Sequence, residues 1–248
     1  MRKRIVVANW KMNKTPKEAL ELVELLKEKV DTEDVDVVFC VPFVDLIPVA
    51  EALEGTNIAL GAQNVHFEDF GPFTGEISAP MLKEIGCQYV IIGHSERRAF
   101  FNETDHTVNQ KLFQAVDHDL TPIVCVGEDL ETRKNNIIIE QIRAQIKRAL
   151  KNVSFEDVSK TIFAYEPVWA IGTGMSASPE QAQEVCHAIR QVLAEIYDHE
   201  TANSIRILYG GSVTGKNCAE IFVMKDIDGG LVGGSSLKED FAKIVGCK

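Results

Sequence analysis

Ile5-Val6-Val7-Ala8-Asn9-Trp10-Lys11-Met12-Asn13 is the stretch that decides between two architectures. A short apolar run ends abruptly in a polar turn, and the turn contains no glycine. An open, doubly wound sheet is expected to carry a glycine-rich turn after its first strand, so this beginning favours a closed barrel. Further apolar runs recur at Val35 to Val41, Ile58 to Leu60, Tyr89 to Ile92, Pro122 to Val126, Ile162 to Tyr165, Ile205 to Tyr209 and Leu231-Val232. They are nearly continuous rather than alternating, as strands of a parallel sheet covered on both faces must be.

Helical patterns fill the intervals. In Thr15-Pro16-Lys17-Glu18, Thr15 is placed to cap, Pro16 suits a first turn and Glu18 is placed to reach back. Leu22, Val23, Leu26 and Val30 then mark one face. Ser178-Pro179-Glu180-Gln181 repeats that start, followed by Ala182, Val185, Ile189, Val192, Leu193 and Ile196 at helical spacing. No linker, low-complexity segment or charge block divides the chain. The expectation is an α/β fold: a single (β/α)8 barrel over residues 1–248, its parallel strands surrounded by helices.

The 248 residues, 45% of them hydrophobic, suffice for a sizeable core. The six cysteines are scattered without a CxxC pair, which suggests reduced thiols rather than a zinc cage or disulfide framework. Met1-Arg2-Lys3-Arg4 mimics the charged head of a signal peptide, but Asn9, Lys11 and Asn13 interrupt the apolar run behind it. No apolar stretch approaches the roughly 20 residues that span a bilayer. A soluble, cytoplasmic protein without a membrane partner is expected. The formal net charge of -11 disfavours nucleic acid, and any anionic substrate will need locally positive ground.

In such barrels the C-terminal strand ends form the active face, so polar residues just past apolar runs are candidates. Asn9 and Lys11, two apart on an extended segment, would project to one side. Alone, Lys11 reads equally as a surface residue ending a strand. His94, in Gly93-His94-Ser95-Glu96-Arg97-Arg98, is placed to donate a hydrogen bond to a carbonyl, and a helical turn starting at Ser95 would disfavour its protonated form. A structural histidine is the alternative.

Glu166 precedes Pro167-Val168-Trp169-Ala170-Ile171-Gly172-Thr173-Gly174. A carboxylate beside Val168, Trp169 and Ile171 would lose water when that segment closes, becoming a stronger base. Pro167 stiffens one hinge of this lid and Gly172-Thr173-Gly174 frees the other. Gly172-Thr173-Gly174-Met175-Ser176-Ala177 formally fits the dinucleotide pattern, but it does not follow a strand directly, and a long helix occupies the place of the next strand. Tyr209-Gly210-Gly211-Ser212 and Leu231-Val232-Gly233-Gly234-Ser235-Ser236 follow the last two strands, where barrels commonly hold phosphate on backbone N–H groups. The six histidines show no metal-ligand spacing, so no metal is expected.

Taken in order along the whole chain, Asn9-Trp10-Lys11-Met12-Asn13, Gly93 to Arg98, Tyr165 to Gly174, Tyr209 to Ser212 and Val232-Gly233-Gly234 resemble the triosephosphate isomerase family. The resemblance implies a glycolytic and gluconeogenic isomerase that interconverts dihydroxyacetone phosphate and glyceraldehyde 3-phosphate without a cofactor. It implies Glu166 as the proton shuttle, neutral His94 as the electrophile, Asn9 and Lys11 as electrostatic partners, and Glu96 in support. It further implies phosphate on the amides near Gly172, Ser212, Gly233 and Gly234, with Ile171 and Leu231 as apolar cover. Ala62 to Val65 and Gly71-Pro72-Phe73-Thr74-Gly75-Glu76 resemble the family's interdigitating loop, which implies a homodimer with Thr74 and Gly75 at the contact. Met175 and Ser235 depart from the family's usual Lys and Ala. The alternatives are another phosphosugar isomerase or an aldolase, for which Lys11 is the candidate Schiff-base lysine, and a non-catalytic phosphometabolite-binding dimer.

Overall fold

The computed structural model describes residues 2–171 and 175–247. Its strands are β1 (Ile5–Asn9), β2 (Asp36–Val41), β3 (Ile58–Ala62), β4 (Tyr89–Ile92), β5 (Thr121–Val126), β6 (Ile162–Tyr165), β7 (Ile207–Tyr209) and β8 (Gly229–Val232). They pair in parallel in chain order, and β8 pairs with β1 to close the barrel. Helices connect successive strands and cover the outside, the arrangement of a (β/α)8 barrel.

Both faces of the sheet are buried, which explains the unbroken apolar runs. Along β1, Ile5 and Val7 belong to a core inside the barrel with Val38, Ile91, Ile123, Ile162, Leu208 and Leu231. Val6 and Ala8 belong instead to the layer between the sheet and the helices. Truncating a fully buried member such as Ile123 to alanine would cost about 2–5 kcal/mol.

Two strands begin two residues away from the start of their apolar runs. The run from Ile205 becomes strand only at Ile207, and β8 starts two residues before Leu231, at Gly229-Gly230. The reason lies across the barrel seam: a Cβ on Gly229 would sit 1.8 Å from the Ile5 carbonyl oxygen, and its φ is +142°. Glycine here admits close strand approach, rather than a turn.

The helix Pro16–Val30 buries Leu22, Val23, Leu26 and Val30 as its spacing predicts. Glu18 does reach back, accepting the Thr15 N–H at 2.9 Å. The Thr15 hydroxyl, however, donates to that carboxylate oxygen at 2.9 Å, because Glu18 offers a stronger, charged acceptor. In Pro179–Ile196 the capping box is reciprocal: Gln181 Oε1 accepts from Ser178 N–H at 2.9 Å, and Ser178 Oγ accepts from Gln181 N–H at 3.2 Å. Among the described residues no helix is long and apolar enough to cross a membrane.

Candidate active site

A cavity of about 580 Å³ opens at the C-terminal end of the barrel. Asn9, Lys11, His94 and Glu166 line it together with Ser212, Gly233 and Gly234, and Ala170 and Ile171 overhang it. Residues from the ends of β1, β4, β6, β7 and β8 thus meet in one space although up to 225 positions separate Asn9 from Gly234 in the chain. Glu96 reaches the cavity through Lys11, whose ammonium lies 2.5 Å from Glu96 Oε1. Thr74 and Gly75 lie elsewhere, exposed in an irregular segment beyond β3. Gly172, Thr173 and Gly174 lie outside the described residues.

The path of Lys11 differs from the expected extended alternation. β1 ends at Asn9, and Lys11 adopts φ 54°, a left-handed conformation. Asn9 Oδ1 accepts the Lys11 N–H at 3.0 Å, and Gln63 Nε2 donates to the Lys11 carbonyl at 2.9 Å. These bonds hold a conformation that a non-glycine residue adopts only when its surroundings compensate. The result carries the Lys11 stem to Gly233, whose hypothetical Cβ would lie 3.3 Å from Lys11 Cε.

His94 stands just before the helix Ser95–Phe100, as anticipated. Its Nδ1 accepts the Glu96 N–H at 3.2 Å, so the ring proton of the neutral imidazole resides on Nε2. That nitrogen faces Glu166 Oε1 at 3.0 Å. Glu166 is 2% exposed, so its carboxylate is secluded from solvent. Ser95 holds it twice, by N–H to Oε2 and by hydroxyl to Oε1, each at 2.9 Å.

Beside the segment that follows β6, Oε1 of the wholly buried Glu128 accepts from Trp169 Nε1 at 2.7 Å, Arg133 at 2.9 Å and the Tyr165 hydroxyl at 3.0 Å. The Arg133 guanidinium also lies over the Trp169 ring, 4.7 Å from its centroid. Burial and the neighbouring Glu128 charge push the Tyr165 hydroxyl far above its ordinary value, so it remains a donor. Pro167 packs beside Gly211, where a Cβ would meet Pro167 Cγ at 2.9 Å.

Also on the cavity wall, the N–H groups of Ser212, Gly233 and Gly234 have no backbone acceptor among the described residues. Backbone donors so placed suit an anion. Ser95, Gly127 and Glu128 were not assigned roles from sequence. Ser95 stood within the His94 motif, and Gly127-Glu128 directly follows the fifth apolar run, so position past a strand end was the available signal.

A closed parallel barrel with this rim is that of a (β/α)8-barrel enzyme. Comparison with known proteins specifies which: a family model described as triosephosphate isomerase matches residues 4–248. The chain is 56% identical over 244 residues to a triosephosphate isomerase of Acetivibrio thermocellus, covering 98% of this chain and 97% of that one. It is 54% identical over 246 residues to one from Caldanaerobacter subterraneus subsp. tengcongensis, covering 99% of each. A Carboxydothermus hydrogenoformans relative of the same name is 53% identical over 247 residues, covering 99% of this chain and 98% of its own. The chain belongs to the triosephosphate isomerase family.

Proposed function

We propose that this isomerase interconverts dihydroxyacetone phosphate and D-glyceraldehyde 3-phosphate by proton transfer through an enediolate, serving glycolysis and gluconeogenesis. The carrying observation is the pairing of Glu166 with His94 Nε2, 3.0 Å apart, in a cavity that Ser212, Gly233 and Gly234 also line. Glu166 removes a proton from one carbon and returns it to its neighbour. His94, with its proton on Nε2, polarises the carbonyl and stabilises the enediolate oxygen, the division of labour that this family exemplifies. Lys11 and Asn9 add electrostatic stabilisation, and Glu96 fixes the Lys11 ammonium.

Both oxygens of Glu166 are engaged by Ser95 and His94, so the base must leave these bonds to reach carbon. Lid movement from Pro167 through Val168, Trp169, Ala170 and Ile171 supplies that displacement and excludes water, with Gly172, Thr173 and Gly174 as the far hinge. Excluding water matters because an exposed enediolate eliminates phosphate. A positioned base contributes roughly 10²- to 10⁴-fold. The reaction is redox-neutral and moves a proton between adjacent carbons, so no cofactor is called for.

The chain acts as a single domain spanning residues 1–248, in the cytoplasm, and pairs as a homodimer through Thr74 and Gly75. Support for pairing comes from apolar side chains left open beyond β1 and β3: Met12 is 97% exposed and Phe70 86%. Met12→Glu is expected to weaken association, with activity falling on dilution. A sedimentation experiment in which it remains as dimeric as the parent, or in which the parent is monomeric, would overturn that.

The function is tested with purified protein and a chelator present. Conversion of either triose phosphate into the other is expected, with Glu166→Gln reducing kcat by about 10²- to 10⁴-fold. Absence of turnover with retained phosphate-ester binding would favour the non-catalytic reading instead.

A further inference from the structure

A second lysine lines the cavity at the C-terminal end of the barrel, and no carboxylate neutralises it. Lys238 follows the short 3-10 turn Gly234–Leu237, and its exposed side chain borders the same space as Gly233 and Gly234. Its backbone is fixed from both directions. The wholly buried Ser236 closes the turn before it, with N–H and hydroxyl both donating to the Gly233 carbonyl, at 2.8 and 2.7 Å. Beyond it, the N–H of the wholly buried Phe241 donates to the Lys238 carbonyl at 3.0 Å.

The acids next to Lys238 in the chain are engaged elsewhere. Glu239 pairs with Lys29 at 2.5 Å, and Asp240 accepts the Gly215 N–H at 2.8 Å and lies 3.6 Å from the Lys243 ammonium. The Lys238 ammonium itself has no ion-pair or hydrogen-bond partner among the described residues. Lys11, the other lysine on the cavity wall, is by contrast paired with Glu96 at 2.5 Å. Glu166 adds a further negative charge, so without Lys238 the charged groups at the cavity would be net negative, on a protein whose formal charge is already -11.

We propose that Lys238 captures the phosphate group of the substrate: its unpaired ammonium raises the local concentration of a phosphate dianion beside the Gly233 and Gly234 amides and takes no part in proton transfer. This rests on the isomerase reading above and adds to it a residue outside the set that acts on carbon. Charge at the mouth of a cleft raises association rates of oppositely charged ligands by roughly 10- to 10³-fold, and a single exposed lysine belongs at or below the lower end. Such an effect is screened by salt, because the Debye length shrinks from about 10 Å at about 0.1 M to about 3 Å at about 1 M. A contribution made through folding would not fade in that way.

The test compares the parent with Lys238→Gln and Lys238→Arg, in steady-state turnover of glyceraldehyde 3-phosphate and in calorimetric titration with inorganic phosphate. At low ionic strength Lys238→Gln should lower kcat/KM about 3- to 10-fold, the fall being carried by KM, and should weaken inorganic phosphate by a similar factor. Lys238→Arg should match the parent, and the difference between Lys238→Gln and the parent should close at about 1 M salt. A Lys238→Gln protein that equals the parent at low ionic strength in either assay, or whose deficit persists in salt or falls on kcat, would overturn the inference. A parent that binds phosphate but turns nothing over would sink the isomerase reading instead, and the phosphate titrations alone would then decide the part played by Lys238.

Discussion

Ser95 grips Glu166 at both carboxylate oxygens, its backbone N–H on Oε2 and its hydroxyl on Oε1. Because Ser95 also starts the helix capped by His94, one turn of backbone sets the position of the Glu166 carboxylate and the orientation of the imidazole. The two groups proposed to act on adjacent atoms are therefore referenced to the same short element.

Ser95→Ala removes the hydroxyl donor but leaves the N–H. Because the carboxylate must leave this bond before it reaches carbon, the bond stabilises the resting protein rather than the reacting one, so kcat should stay within about threefold of the parent while the fold loses roughly 1 kcal/mol. Steady-state kinetics in both directions and a melting curve check this, and a tenfold fall in kcat would show that the hydroxyl still holds the carboxylate during proton transfer.

Gly127 lies against the backbone of the same glutamate. A Cβ there would fall 1.9 Å from the Glu166 carbonyl oxygen and 2.9 Å from its carbonyl carbon, so the ends of β5 and β6 would have to part. Gly127→Ala is expected to lower kcat at least about tenfold and stability by about 1–3 kcal/mol. Full activity together with an unaltered melting curve would mean that the strands separate freely.

Glu103 predicts an acid-sensitive fold. It is nearly buried, and it accepts from Gly93 N–H at 2.7 Å, Arg97 Nε at 2.8 Å and Lys111 Nζ at 2.6 Å. Burial by itself would raise its carboxyl, but the Lys111 charge and these hydrogen bonds together outweigh it and hold the group below its ordinary value. Such a group adds stability that is present above its unfolded value, about 4.3, and lost as pH falls through the folded one. Melting temperature should therefore drop on acidification below about pH 4.5, and Glu103→Gln should flatten that limb while melting lower at neutral pH. Parallel acid limbs in the two proteins would assign the sensitivity to other carboxylates.

The strand runs were legible because a parallel barrel buries both faces of every strand, and that demand writes itself into local composition. Tyr89–Ile92 and Ile162–Tyr165 match the runs residue for residue. Asn9, Lys11, His94 and Glu166 were legible as candidates because each is polar and lies just past an apolar run. How Lys11 reaches the cavity was not, since its left-handed turn depends on Gln63, a residue 52 positions away. The role of Glu128 was equally hidden: Tyr165, Trp169 and Arg133 converge on it only once β5 and β6 are neighbours.

The sequence by itself determined the alternation of strands and helices, the order of the motifs along the chain and the family they resemble, because periodicity, capping and strand-end polarity are local. Only the tertiary structure decided that Ser95 secures Glu166, and that Gly127 and Gly229 stand where a Cβ would strike backbone. Each of these depends on distance between residues remote in the chain, and closing β8 onto β1 is what fixes such distances.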